Sequence, residues 1–116
     1  MQKKASVRYK LQLSVNGSHI PMKPYIVNTL GDVICGLLRS LSGVGDLTSA
    51  RSIFLEMDPK AEEDRRVLFE LAGNEIVIKY FVQLMIRKTI NGFLSSLNDI
   101  PHNLEHLPIV IELSPL

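Results

Sequence analysis

The sequence matches itself when it is shifted by 56 positions, so that residues 11–57 align with residues 67–113 without a gap. Ten of the 47 aligned positions are identical, whereas unrelated sequences of average composition would share roughly three. The identical pairs run along the whole alignment: Gly17/Gly73, Ile20/Ile76, Lys23/Lys79, Ile34/Ile90, Gly36/Gly92, Leu38/Leu94, Ser40/Ser96, Leu41/Leu97, Ile53/Ile109 and Glu56/Glu112. Two copies are too few for a solenoid. We therefore predict one pseudo-twofold domain over residues 1–116.

Each copy opens with the pattern of a half-buried strand followed by a tight turn. Apolar and polar residues alternate before the turn, which is the period of two that such a strand requires. Asn16-Gly17 then favours a two-residue hairpin, because both residues tolerate positive φ. Ala72-Gly73 takes the same place in the second copy with weaker turn chemistry. The sequence predicts hairpin extensions over 18–22 and 74–78, and leaves open whether they join the main sheet.

A helix and a closing strand complete each copy. Pro24 suits the first position of a helix, and apolar residues follow it at steps of three and four, which predicts one buried helix face. The second copy repeats this spacing. We expect the two helices to stop at Ser42-Gly43 and at Asn98-Asp99. Alternation over 53–57 and 109–113 predicts the closing strands.

The order of these elements predicts an α+β fold. With the hairpin extensions set aside, the order is β-α-β-β-α-β, which is typical of the ferredoxin-like two-layer sandwich. Right-handed crossovers would place both helices on one face of the sheet. If the extensions are sheet strands, each copy is a ββαβ unit closer to a β-grasp core, and the sheet has up to six strands. The polar connector 58–66 is expected to form a loop or a short helix.

Composition argues against several classes of function. A formal net charge of +1 gives no general attraction to nucleic acids or membrane surfaces. No apolar run approaches the roughly 20 residues that a transmembrane helix needs, and the first residues lack the apolar stretch of a signal peptide. The single cysteine, Cys35, cannot form an internal disulfide, which suits a reducing compartment. We expect a cytoplasmic protein.

Two stretches resemble a known sequence pattern. VNGSHIPM over 15–22 and GLLRSLSGV over 36–44 are similar to a pattern in small uncharacterised prokaryotic proteins, which resemble one copy of this repeat. The resemblance covers residues 15–44 and, more faintly, 73–100. It implies no activity and no site residue. It implies only that a single unit pairs with itself, as the two copies would pair within this chain.

The histidines are candidate metal ligands. His102 and His106 are four apart, and Glu105 and His19 could complete a site. The segment is short and bounded by prolines, however, and no H-E-x-x-H pattern is present. We expect a solvated loop there. No G-x-G-x-x-G, P-loop, nucleophile-elbow or C-x-x-C motif occurs in the sequence, so we predict no cofactor and no catalytic residue.

Three small residues in the helices favour structural roles. Cys35 is expected to be buried as a small hydrophobe. Gly36 and Gly92 lie inside the two helices, where glycine costs about 1 kcal/mol relative to alanine. Their presence in both copies predicts that each helix backbone closely approaches the sheet or the other helix.

Two equivalent carboxylates lie on the polar face of the closing strands. Glu56 and Glu112 could form an acid–base pair, but Lys10 and Arg66 are natural cross-strand partners for them. We therefore expect structural ion pairs.

The second helix carries more apolar surface than one buried face needs. Leu84 and Met85 replace Asn28 and Thr29 of the first helix, and a helix with one buried face needs only an apolar stripe. The surplus indicates contact with another subunit.

We predict a small non-catalytic binding or assembly module, a homo-oligomer or the partner of another protein. Nucleic acid is not expected as a partner, since no RNA-binding K/R-G-F-x-F motif is present. The alternative is a regulatory domain that binds a small molecule between repeats or subunits. The expected interface residues are Phe81, Leu84, Met85, Phe54, Leu68 and Val110.

Overall fold

The structure is a computed structural model that describes residues 7–41, 52–98 and 100–115. Its strands are β1 (Tyr9–Val15), β2 (Ser18–His19), β3 (Ile53–Met57), β4 (Val67–Leu71), β5 (Asn74–Ile76) and β6 (Ile109–Pro115). Its helices are α1 (Pro24–Arg39) and α2 (Tyr80–Leu94), and short 3-10 helices cover Glu63–Arg65 and Leu104–His106. The predicted α+β class is confirmed.

The described strands form one antiparallel sheet in the order β2-β1-β6-β3-β4-β5. The two closing strands, β3 and β6, therefore meet at the centre, and the opening strands β1 and β4 flank them. Leu55 lies opposite Ile111 in the central pair, Leu13 lies beside Ile111, and Phe69 lies beside Leu55. All four side chains are fully buried. Since cross-strand neighbours share a face, this row marks the buried face of the sheet.

Both helices cover that same face. The apolar side chains that α1 and α2 bury belong to one core together with those of the strands. Burying a leucine or isoleucine side chain stabilises a fold by about 1.5–3 kcal/mol, so the shared core holds the two layers together. The fully buried helix residues are Leu30, Ile34, Leu38, Ile86, Ile90 and Leu94.

The hairpin extensions do join the main sheet, as its two edge strands. Val15 pairs with Ser18, and Ile20 N–H donates to the Leu13 carbonyl at 2.9 Å. The edge strands are shorter than the predicted 18–22 and 74–78. The sheet of the described residues therefore has six strands, the upper limit of the alternative description, and each half has the element order ββαβ.

The two turns that follow β1 and β4 have the same backbone conformation. Asn16 and Gly17 have φ of 51° and 82°, and Ala72 and Gly73 have φ of 52° and 83°. Positive φ at both central residues defines the two-residue turn that matches the twist of a hairpin. Alanine rarely adopts this conformation, so Ala72 is held there by the pairing on either side of it.

The helices begin where the sequence predicted and end earlier. Pro24 opens α1, and the chain before both helices is extended. The helix α2 ends at Leu94 rather than at Asn98-Asp99, because serine hydroxyls bond the last carbonyls: Ser95 Oγ donates to Gly92 O at 2.9 Å, and Ser96 Oγ donates to Phe93 O at 2.7 Å. Such bonds compete with a further helical turn. The expected stop at Ser42-Gly43 and residue 99 lie outside the described residues.

The predicted close packing at Gly36 and Gly92 is wrong. Both glycines are exposed, and a Cβ built on either would have no described atom within 4 Å. The tight position is Gly31, which is buried. A Cβ there would overlap the ring of Tyr9, whose Cγ would be 2.8 Å away. Gly31 therefore lets β1 and α1 approach each other, a role that the sequence repeat could not reveal because Arg87 occupies the equivalent position.

Candidate interaction surfaces

The face of the sheet opposite the helices is open. One row across five strands consists of Gln12, Glu112, Phe54, Glu70 and Glu75, each opposite the next. A neighbouring row consists of His19, Ser14, Val110, Glu56 and Leu68. We call this surface the sheet face. Phe54, Leu68 and Val110 are half-buried in it, as expected for residues on outward positions.

The sheet face is acidic. The carboxylates of Glu56, Glu70, Glu75 and Glu112 lie on it, and the cation among the described strand residues of this face is Lys10. The expected ion pairs of Glu56 and Glu112 with Lys10 and Arg66 do not form within 4 Å among the described residues. Instead, Lys10 lies opposite Ser114, and Arg66 Nε donates to the Ala61 carbonyl at 3.2 Å.

A cavity of about 400 Å³ opens on the sheet face. Phe54 contributes an aromatic wall, and Lys10, Glu70 and Glu112 contribute charges. A second cavity of about 530 Å³ lies beside the connector, where Glu56 and Glu75 are joined by further carboxylates and by apolar side chains. These further residues include Asp58, Glu62, Asp64, Leu68 and Val77. Both cavities combine apolar walls with an excess of carboxylates over cations, the cation being Lys10 in the first and Arg65 in the second.

The helix layer exposes a row of apolar side chains. Phe81 is 69% exposed and Met85 is 48% exposed, whereas Leu84 is half-buried. Lys88 and Gly92 continue the exposed row, because steps of four, three and four residues stay on one side of a helix. We call Phe81, Met85, Lys88 and Gly92 the outer row of α2.

The equivalent part of α1 has one exposed aromatic residue. Tyr25, 59% exposed, aligns with Phe81. It lines a groove of about 270 Å³ together with Thr29, with Phe93 near the end of α2, and with Leu97 just after that helix. The beginning of α1 and the end of α2 therefore lie side by side.

The helix layer is basic. Lys23 and Lys79 immediately precede the two helices, and Arg39, Arg87 and Lys88 lie on them. The acid on these helices, Asp32, binds Arg8 through two bonds of 2.9 and 2.6 Å. The two surfaces of the molecule therefore carry opposite charge although the whole chain has a formal net charge of +1.

The bonds of Asp32 belong to a polar cluster that the sequence did not predict. Tyr9 Oη donates to Asp32 Oδ1 at 2.7 Å, and Arg8 N–H donates to Asn28 Oδ1 at 2.8 Å. The hydrogen bonds from Arg8 and then Tyr9 hold the pKa of Asp32 below its ordinary value. Burial, followed by the hydrogen bond to Asp32, raises the pKa of Tyr9. The cluster fixes the start of β1 to α1, and buried Cys35 lies beside it as a small core residue.

The second half has a different polar connection. Gln83 is only 4% exposed, and its Oε1 accepts from Val67 N–H at 3.1 Å. Its Nε2 donates to the carbonyls of Asp64 at 2.7 Å and Ile78 at 3.0 Å. One amide therefore joins α2, the connector and the segment after β5. The signal available in the sequence was a polar residue inside the apolar run 81–86 of α2, where the aligned position of α1 is Val27.

The histidines do not assemble a metal site in the described part of the chain. His19 lies on the edge strand β2, His102 lies in a turn, and His106 lies in the following 3-10 helix. His106 Nε2 is 3.6 Å from Glu105 Oε1. Within the described ranges, no group of three His, Cys, Asp or Glu residues could hold a metal ion.

Comparisons with protein-family models, with curated proteins and with solved structures found no match to this chain. The helices that the structure describes are also too short or too polar to cross a membrane. The functional interpretation therefore depends on the two charged surfaces and their apolar residues.

Proposed function

We propose that this protein is a small non-catalytic assembly module that binds copies of itself through the outer row of α2. The observation that carries the proposal is the exposure of Phe81 and Met85, 69% and 48%, on a helix whose opposite face already contributes to the core. Burying a side chain of this size is worth about 1.5–3 kcal/mol. An oligomer gains that free energy by burying these side chains, whereas in the monomer they stay exposed to water.

The proposal includes a duplicated fold over residues 1–116, with repeats 11–57 and 67–113. Three observations support it: the matching φ values of the two turns, the equivalent starts of the two helices, and the pairing of Leu55 with Ile111 at the middle of the β3–β6 ladder. These two residues are 56 positions apart. We use the ferredoxin-like description only for the order of the elements along the chain. It is not used for the order of the strands in the sheet, where the closing strands β3 and β6 are central.

The absence of catalysis is part of the proposal. The histidines lie on separate elements, and Cys35 is buried. The acidic sheet face would repel phosphate backbones, so this face offers no binding surface for nucleic acid. A cytoplasmic location agrees with a single buried thiol.

A matched pair of variants tests the interface. Phe81→Asp places a charge in the outer row of α2, and Tyr25→Asp makes the same change at the aligned exposed position of α1. Light scattering after size exclusion should show an oligomer for the wild type and for Tyr25→Asp, and a monomer for Phe81→Asp. A wild-type protein that stays monomeric at every concentration would refute the proposal.

The second candidate is a regulatory domain that binds a small molecule. The cavity of about 400 Å³ on the sheet face favours it, since ligand sites of this size combine apolar walls with a few polar groups. Lys10 and Glu70 would select a ligand with both a negative and a positive group. Thermal-shift measurements against amino acids and other zwitterionic metabolites should then show stabilisation, which Glu70→Gln should remove. An unchanged melting temperature throughout would eliminate this candidate.

A further inference from the structure

The two charged surfaces have a consequence for how copies meet. If the helix layers of two copies faced each other, the cations of one layer would face the identical cations of the other. These cations are Lys23, Arg39, Lys79, Arg87 and Lys88. Like charges brought together at an interface cost free energy and slow association. Two sheet faces would repel each other for the same reason, because the described strand residues place four glutamates and one lysine on each. Only contact between unlike surfaces brings opposite charges together.

We infer that the helix layer of one copy docks on the sheet face of the next through the outer row of α2, with Phe81 entering the cavity beside Phe54. This inference rests on the proposed self-association and names its binding surface. The cavity, about 400 Å³, has Phe54 on its wall and Glu70 and Glu112 at its margins. A phenylalanine ring fits this volume and gains an aromatic neighbour, which adds about 0.5–1.5 kcal/mol beyond its burial.

The spacing of charges agrees with this arrangement. Lys88 lies seven residues after Phe81, which is about 10 Å along a helix. Glu75 lies two strands from Phe54 in the same row, which is also about 10 Å at the usual strand spacing. A helix laid across the strands therefore brings Lys88 within reach of Glu75 when Phe81 lies over Phe54.

The exposed glycine of the outer row also fits close docking. Gly92 costs helix stability and has no described atom within 4 Å of a built Cβ, so nothing described within the chain explains it. A glycine on the contact surface lets the helix backbone approach the strands of the next copy.

The geometry of such a contact is heterologous. Each copy offers one helix layer and one sheet face. Association therefore either closes into a ring or continues as an open filament. Association should also weaken as salt is added, because the charged groups at its margins are exposed and screened. An apolar contact between identical surfaces would lack both properties.

Two complementary variants test the inference. Phe81→Asp disables the helix layer and leaves the sheet face intact, whereas Glu75→Lys with Glu112→Lys disables the sheet face and leaves the helix layer intact. All three positions are exposed, so the fold should survive, and far-UV circular dichroism checks this. Sedimentation velocity should find each variant monomeric alone. Their mixture should give a 1:1 dimer and nothing larger, because each dimer retains only disabled surfaces at its ends.

The remaining outcomes separate this inference from the proposed function. If the Glu75→Lys, Glu112→Lys variant still oligomerises alone while Phe81→Asp does not, helix layers pair with each other. That result overturns the inference and keeps the assembly function. If two monomeric variants form no dimer on mixing, the inference is also overturned. A monomeric wild type refutes both. A further check is the Lys88→Glu, Glu75→Lys double variant, which should recover the association that Lys88→Glu alone loses.

Discussion

The two halves of the molecule attach a helix to a strand in different ways. In the first half, exposed polar groups make the connection: Arg8 and Tyr9 bind Asp32, and the side chains of Arg8 and Asp32 are each about half exposed, 55% and 50%. In the second half, one buried amide, that of Gln83, makes three bonds to the backbone. Buried polar groups are costly to leave unpaired, whereas exposed ion pairs contribute little. The two halves share an element order, but their polar connections contribute unequally to stability. The second half should therefore lose more stability when its polar group is removed.

The largest effect is expected from removing the amide of Gln83. Gln83→Leu has a similar volume but leaves the Val67 N–H without its partner and frees two carbonyls. An unsatisfied buried group costs about 1–3 kcal/mol, so we expect the free energy of unfolding to fall by about 3 kcal/mol in urea denaturation. The aligned change Val27→Leu should cost less than about 1.5 kcal/mol. Equal losses at the two positions would show that the halves do not differ in this way.

The next effect sharpens the comparison at the glycines of α1. Gly31→Ala introduces a methyl group that overlaps Tyr9, and overpacking of this kind costs about 1–3 kcal/mol. Gly36→Ala, five residues later and in open space, should instead raise the free energy of unfolding by up to about 1 kcal/mol through helix propensity. Thermal and urea denaturation of the two variants should therefore shift in opposite directions. A loss at Gly36 would mean that its surroundings are not open.

A smaller effect compares the two turns. Ala72 has a φ of 52°, which alanine adopts at a cost that asparagine largely avoids. Ala72→Asn should raise the free energy of unfolding by about 1 kcal/mol, and Asn16→Ala should lower it by a similar amount. The measurement is the urea midpoint of each variant. If Ala72→Asn is neutral while Asn16→Ala destabilises, the asparagine side chain acts through a bond specific to the first turn.

The smallest effect is the pH dependence of the exposed cluster. The pKa of Asp32 is lowered from 3.8 in the folded state, so its contribution is present above pH 3.8 and is lost as pH falls through the folded value. The pKa of Tyr9 is raised from 10.0, so its contribution is present below pH 10 and is lost as pH rises further. In acid, the urea midpoint of Asp32→Asn should approach that of the wild type. In alkali, the urea midpoint of Tyr9→Phe should approach or exceed that of the wild type. Parallel pH profiles for all three proteins would contradict both assignments.

Much of the candidate surface could be predicted from the sequence. Phe81 and Met85 exceed the apolar stripe that a helix needs, and Phe54, Leu68 and Val110 fall on outward strand positions. What could not be predicted is the charge that surrounds them. The clustering of Glu70, Glu75 and Glu112 depends on strand order, because these residues lie on β4, β5 and β6.

The sequence by itself determined the elements and their buried residues. Period-two alternation, steps of three and four, and the Asn16-Gly17 turn are local patterns, and each expresses a backbone geometry that a short segment adopts through its own side chains. The core residues Leu13, Leu55 and Ile111 follow from these patterns, and they are fully buried.

Only the tertiary structure decided how the elements meet. The central position of β3 and β6, the overlap that Gly31 avoids, and the bonds of Gln83 to Val67 and Asp64 depend on segments that are distant in the chain. No local pattern encodes such contacts, because their free energy depends on which surfaces are brought together when the core closes. The opposite charges of the two faces arise in the same way, from strand order rather than from composition.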